Sequence, residues 1–160
     1  MRKVCIEPIR FNADGTIDEV EMTSQGAAGP LDAFRPTHAA QACWMKGNVR
    51  IRGMQHNPLK EELGAIRNGD IAAWKYLDFG SGANKMSIQV KSELGGEIIV
   101  RTDTKDGDIL GTITIPANTD WKVYETTIKE TSGIHALWME WKSIESDKGE
   151  LFRIDWFAFE

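Results

Sequence analysis

Four scarcities bound what this chain can be. It has two cysteines, Cys5 and Cys43, with no CxxC spacing and no histidine cluster beside them. A zinc site and a redox pair are therefore not indicated, and two buried free thiols in strands are expected. No run approaches the eighteen or so apolar residues of a membrane span. The basic start Met1-Arg2-Lys3 is followed by no apolar stretch that would make an export signal, so work outside the cytoplasm would require a longer precursor. Positive charge is not in excess: 19 Lys+Arg stand against 24 Asp+Glu, a net charge of −5, with no Lys/Arg cluster. Nucleic acid and anionic membrane surfaces both draw on clustered cations, so neither is expected as a partner.

Catalytic signatures are the fourth scarcity. There is no GxSxG, no phosphate-loop GxxxxGK[ST] and no HExxH, and His38, His56 and His135 stand apart from one another. The acidic run Asp103-Thr104-Lys105-Asp106-Gly107-Asp108 lacks the glutamate that closes a calcium loop and reads as a turn.

What the chain does have is enough apolar residue for a core and a surplus of tryptophan. With 160 residues, 41% hydrophobic and 27% charged, it suits one globular domain that needs no disulfide or metal to fold. Six tryptophans against two tyrosines exceed what such a core requires. Some indoles are expected at the surface, where their faces suit the C–H face of a sugar ring.

Apolar residues recur with a period near two, in short runs separated by Gly, Asn, Asp and Pro, which is the pattern of an all-β chain. Ile6–Phe11 and Thr16–Met22, joined by Asn12-Ala13-Asp14-Gly15, read as a hairpin. Ser24–Pro30 reads as a small-residue linker, and the stretch from Leu31 to Leu63 as mostly loop, with a possible strand at Asn48–Arg52. Strands are expected at Ile71–Phe79, Lys85–Lys91, Glu97–Asp103, Leu110–Ile115, Lys122–Ile128, His135–Trp141 and Leu151–Phe159. With no crossover helices between them, they argue two antiparallel sheets packed as a sandwich. Phe152, Ile154, Trp156 and Ala158 are expected on one face of the last strand, which makes Trp156 core. Trp121 follows Asn118-Thr119-Asp120 at a loop-to-strand junction and is the indole best placed for a sugar.

Landmarks in register strengthen this reading. Asn68-Gly69-Asp70-Ile71 through Trp74, then Leu77-Asp78-Phe79-Gly80, resembles the "NGDW…Y…VDFG" strand of family 6 carbohydrate-binding modules. Gly95-Gly96-Glu97-Ile98, Ile109-Leu110-Gly111-Thr112, Asp120-Trp121-Lys122, Gly133–Trp138 and Leu151–Phe159 follow in that family's order. Upstream, Arg2–Glu7 with Phe11–Ile17 resembles the closing hairpin of a family 43 glycoside hydrolase propeller. The resemblance implies a jelly-roll β-sandwich over residues 31–160 that binds xylan, arabinoxylan or β-glucan, with residues 1–25 as a hairpin appendage from a catalytic domain. It also implies a parent arabinofuranosidase or xylosidase, secreted or held at the cell envelope, as partner, with no catalysis by this chain.

Family members clamp a sugar between a Tyr and a Trp, with an Asn fixing hydroxyls. Carried over, the Trp is Trp121, the Tyr position is Ala65 and the Asn position is Arg153. The expected carbohydrate contacts are Trp121, Arg153, Asp120 and Asn68. A second family site on a concave sheet face could use Trp74, Trp138 or Trp141. The family's calcium would keep Asp155 as a ligand, but its two early Glu are replaced within Thr37-His38-Ala39-Ala40-Gln41-Ala42, so a weak or absent calcium site is expected. The alternative reading, prompted by Ala65 and Arg153, is a module that has lost its sugar site and serves to stabilise the catalytic domain.

Overall fold

The computed structural model describes residues 5–54, 57–144 and 149–160, so Arg2, Lys3, Val4 and His56 lie outside the described residues. Twelve strands follow one another: β1 (Leu31–Asp32), β2 (Thr37–His38), β3 (Trp44–Lys46), β4 (Arg50–Met54), β5 (Asn57–Ile66), β6 (Ile71–Asp78), β7 (Ala83–Ser92), β8 (Gly96–Thr102), β9 (Ile109–Ile115), β10 (Asn118–Thr131), β11 (Ile134–Lys142) and β12 (Phe152–Phe159). One sheet runs β1-β6-β11-β8-β9 with β3 also on β6, and the other runs β10-β7-β12-β5-β4 with β2 on β12. All pairings are antiparallel except β1 with β6. The seven strands expected from Ile71 onward are all present, within a few residues of their expected ends. No described helix is long and apolar enough to cross a membrane.

Alternation explains the interior. In β7, Met86, Ile88 and Val90 are fully buried while Lys85, Gln89 and Lys91 turn to the other face. Aromatic contacts then join the two sheets. Trp74 of β6 meets Phe157 of β12 edge-on, with ring centroids 5.0 Å apart, and Phe79 meets Phe159 in the same manner at 4.9 Å. Each such pair contributes roughly 0.5–1.5 kcal/mol beyond the area it buries. The Trp74 indole N–H is satisfied by the Ala39 carbonyl at 3.1 Å.

Three expectations need correction. Trp156 is half-buried rather than core, because the β12 ladder slips between Ile154 and Trp156. The extra residue puts Phe157 and Phe159 inside and leaves Asp155, Trp156 and Ala158 facing out. The expected loop before Leu63 contains β5, a ten-residue strand. Its Pro58, the adjacent acids Glu61 and Glu62, and a bulge at Gly64-Ala65 hide the alternation. The N-terminal hairpin forms its turn, with Gly15 at φ 84° and Asn12 and Thr16 bonded across it, but only Phe11 and Ile17 bridge and no strands flank them. Both cysteines are free, as expected, yet Cys5 is exposed and Cys43 only half-buried.

Candidate functional site

Strand register assembles one end of the second sheet into a row of polar and aromatic residues. Arg153 of β12 lies directly across from Lys91 of β7. On the far side of Lys91, the β10 ladder passes from Asn118 opposite Ser92 to Lys122 opposite Val90. Thr119, Asp120 and Trp121 therefore bulge out against Lys91 alone. On the far side of Arg153, Gly64 and Ala65 of β5 bulge between the Leu63 and Ile66 pairings. Trp121, Lys91, Arg153 and Ala65 thus follow one another across four strands. Trp121 and Arg153 stand two strand spacings apart, about 10 Å.

An ion-pair network underlies the row. Glu62 is fully buried, and its Oε1 accepts from Arg52 Nε and Arg153 Nε, each at 2.8 Å. Its Oε2 has no partner. A buried carboxylate needs such compensation, because desolvating an unpaired charge costs several kcal/mol. Glu150 Oε1 accepts from the second arginine's neighbour in the network, Arg52 Nη2, and from the Ala65 amide at 2.6 Å. Ala65 is at φ 56°, so the carboxylate holds a left-handed bulge residue in place. Gly64 supplies the room: a Cβ there would stand 2.5 Å from Arg52 Nε. Lys91, Glu93, Glu150 and Arg153 ring a shallow depression floored by Leu151 and Phe152.

The sequence-expected contacts are thus partly assembled. Trp121, half-buried, and Asp120, exposed, sit in the β10 bulge, and Arg153 stands across Lys91 from them. Asn68 is occupied differently: its Oδ1 accepts from the Ser143 amide at 3.0 Å. The rest of the Asn68-Gly69-Asp70 turn is structural as well. Asp70 Oδ1 accepts from the Asn48 amide and Oδ2 from the Arg67 amide, both at 2.9 Å. Lys91, Arg52, Glu62 and Glu150 were not singled out in the sequence. Lys91 was legible as outward-facing from the β7 alternation, whereas Glu62 and Glu150 act through contacts between distant segments.

A second aromatic group lies on the outer face of the first sheet. Trp44 and Trp138 pack with centroids 5.0 Å apart, and Lys75 Nζ stands 5.6 Å from the Trp138 ring centroid. Trp74 and Trp141 are wholly buried and so unavailable to a ligand. The N-terminal arm reaches this face through Glu21, which accepts from Lys75 Nζ at 2.6 Å and from the Tyr76 hydroxyl at 2.7 Å. These bonds, Lys75 first, hold the Glu21 carboxyl below its usual range. The Glu21 bond, with burial second, pushes the Tyr76 hydroxyl up to about 12.

The residues around Asp155 do not fit a calcium ion. Its carboxylate lies 3.8 Å from His38 Nδ1, and Thr37–Ala42 offer no second carboxylate. Among the described residues no three His, Cys, Asp or Glu side chains gather into a metal-holding group. Calcium takes six to eight oxygens, several of them charged.

Comparison with known proteins agrees with the sandwich. Residues 38–160 match the model of the carbohydrate binding module, family 6. The arabinoxylan arabinofuranohydrolase of Bacillus subtilis (strain 168) is 30% identical over 163 residues, covering 96% of this chain and 31% of that protein. A solved family 43 arabinoxylan arabinofuranohydrolase from Bacillus subtilis, in complex with cellotetraose, superposes with a TM-score of 0.75 at 29% identity, covering 96% of this chain and 33% of that one. A family 6 module from Clostridium stercorarium in complex with cellobiose gives 0.73 at 25% identity, covering 82% of this chain and 97% of that one. The chain thus spans about a third of the length of those larger relatives and nearly all of an isolated module. It belongs to the family 6 carbohydrate-binding modules, whose part is to bind sugar rather than to catalyse.

Proposed function

We propose that this module anchors a plant-cell-wall glycoside hydrolase, of arabinofuranosidase or xylosidase type, to xylan or arabinoxylan outside the cell, and that residues 1–25 belong to the catalytic domain. The observation that carries the reading is the row Trp121–Lys91–Arg153 at the end of the second sheet, an indole beside charged hydrogen-bond donors. In this reading the Trp121 face takes the apolar face of a pyranose, and Arg153 donates to its hydroxyls. Such a site is weak, because the sugar gives up well-hydrated hydroxyls for a few contacts. Weak binding suffices for a tethered enzyme, since tethering raises local substrate concentration without new chemistry. The likeness to two arabinoxylan arabinofuranohydrolases supports the polysaccharide class, and the exposed Ile6, Ile9, Phe11 and Met22 support a further protein surface against the arm. Depletion of the protein from solution by insoluble arabinoxylan tests the claim; a protein left wholly in the supernatant contradicts it.

One observation favours the alternative, a sugar-blind stabilising module. Glu150 is seated on the Ala65 amide, beside the position where the family carries an aromatic wall. Tight association with a separately expressed catalytic domain, together with no depletion by polysaccharide, would select that reading.

A further inference from the structure

We propose that the Trp121–Arg153 end selects xylan chains bearing uronic-acid branches, with the branch carboxylate held between the outer amino groups of Arg153 and the Lys91 ammonium. The inference rests on the reading of this end as the sugar site and adds the charge of its ligand.

The carrying observation is a like-charge pair. Arg153 and Lys91 are direct cross-strand partners, a placement that costs stability unless something cancels the charge. Glu62 balances Arg153 through Nε, but among the described residues no carboxylate lies within ion-pair distance of Lys91. Glu150, on the same depression, is committed to Arg52 and to the Ala65 amide, and Glu93 sits at the exposed rim. A carboxylate bound across the pair would relieve the repulsion. A hydroxyl there would not, because it carries no charge.

Arg153 is also pre-set for the task. Its Nε is fixed on a carboxylate that is itself fully buried, so the guanidinium is oriented before a ligand arrives. Its two outer amino groups make no hydrogen bond among the described residues. A planar fork with both outer nitrogens available matches a carboxylate in bidentate fashion, and prior anchoring reduces the entropy lost on binding. The β10 bulge places Trp121 within one strand of Lys91, close enough for a backbone sugar to stack while its branch reaches the cations.

The test is calorimetric titration of the full chain with three xylo-oligosaccharides of equal backbone length: one with a glucuronic-acid branch, the same compound with its carboxyl reduced to the alcohol, and an unbranched one. The acid is expected to bind about fivefold more tightly than its reduced counterpart at low salt, the scale of one partly exposed ion pair. That ratio is expected to fall to about one in Lys91→Gln and to shrink with added salt. Lys91→Gln leaves the Glu62 network intact; Arg153→Gln, checked for folding by circular dichroism, should also remove the preference. Equal affinity for acid and reduced forms, or a preference that survives both substitutions, overturns the inference while leaving the sugar site standing. No binding of any of the three overturns both.

Discussion

Arg52 and Arg153, from strands on either side of β5, place their Nε atoms on the same oxygen of Glu62, each at 2.8 Å. One buried carboxylate therefore serves as the counter-ion for two guanidiniums and ties three strands of the second sheet together just beneath the candidate sugar site. Under the proposed sugar site the network bears on binding as well as on stability, because whatever fixes Arg153 also fixes the donors offered to a ligand.

Removing that counter-ion should be costly. Glu62→Gln leaves Arg153 without its counter-ion and Arg52 with Glu150 alone. Because both guanidiniums keep some contact with solvent, the loss falls below the fully buried case, at about 2–3 kcal/mol. Urea unfolding is expected to show an unfolding free energy lowered by that amount, through an earlier midpoint at an unchanged slope. A loss under about 1 kcal/mol would mean that the arginines are compensated elsewhere.

Gly64→Ala probes the same network from its packing side. The added Cβ would stand 2.5 Å from Arg52 Nε, so the guanidinium must move off Glu62. The atoms met are the outer end of a partly exposed side chain, so the cost is that of the displaced ion pair, about 1 kcal/mol. The substitution is therefore expected to destabilise despite alanine's better fit to strand backbone, and an increase in stability would contradict the close approach.

The slip in β12 makes a paired prediction. Phe157→Ala empties a core position and should cost about 3–5 kcal/mol, whereas Trp156→Ala removes a half-buried ring from the outer face and should cost clearly less. If the two losses were reversed, the alternation read directly from the sequence would be right and the bulge wrong.

The arm contact should depend on pH at both ends of the range. The Glu21 carboxyl is held below its ordinary value by Lys75 and Tyr76, so its contribution is present above the unfolded value near 4.5 and is lost as pH falls through the lower folded value. The Tyr76 hydroxyl is raised from 10.0 to about 12 by the bond to Glu21, so its contribution is complete below 10 and is lost as pH rises toward 12. Limited proteolysis of the arm is expected to accelerate in acid and above pH 10, with the alkaline limb absent in Tyr76→Phe. A rate flat across both limits would contradict the docking of Glu21 on this face.

Much of the fold was legible in the sequence where alternation was unbroken. In β7, β8 and β11 the inward residues stay two apart, so the pattern alone places Met86, Ile88 and Val90 in the core. Where a bulge intervenes, the period fails: β5 reads as loop because Gly64-Ala65 breaks the spacing between Leu63 and Ile66, and Trp156 changes faces for the same reason in β12. The candidate site offered Trp121 and Arg153 to a reading of the sequence, but not Glu62 and Glu150. Those two act on partners in distant segments, as with Glu150 on Arg52 nearly a hundred residues away, and no local pattern encodes such a contact. The Asn68-Gly69-Asp70 turn illustrates the reverse case, a recognisable signature whose Asp70 carboxylate is spent on backbone amides.

The central claim, a sugar site at the Trp121–Arg153 end, is tested most directly by calorimetric titration of the chain and of Trp121→Ala with a panel of xylo- and arabinoxylo-oligosaccharides. The account predicts saturable heat with at least one oligosaccharide and its loss in Trp121→Ala, with the variant's unfolding midpoint nearly unchanged because the ring is half-exposed. No heat with any oligosaccharide, or undiminished binding by Trp121→Ala, would contradict it.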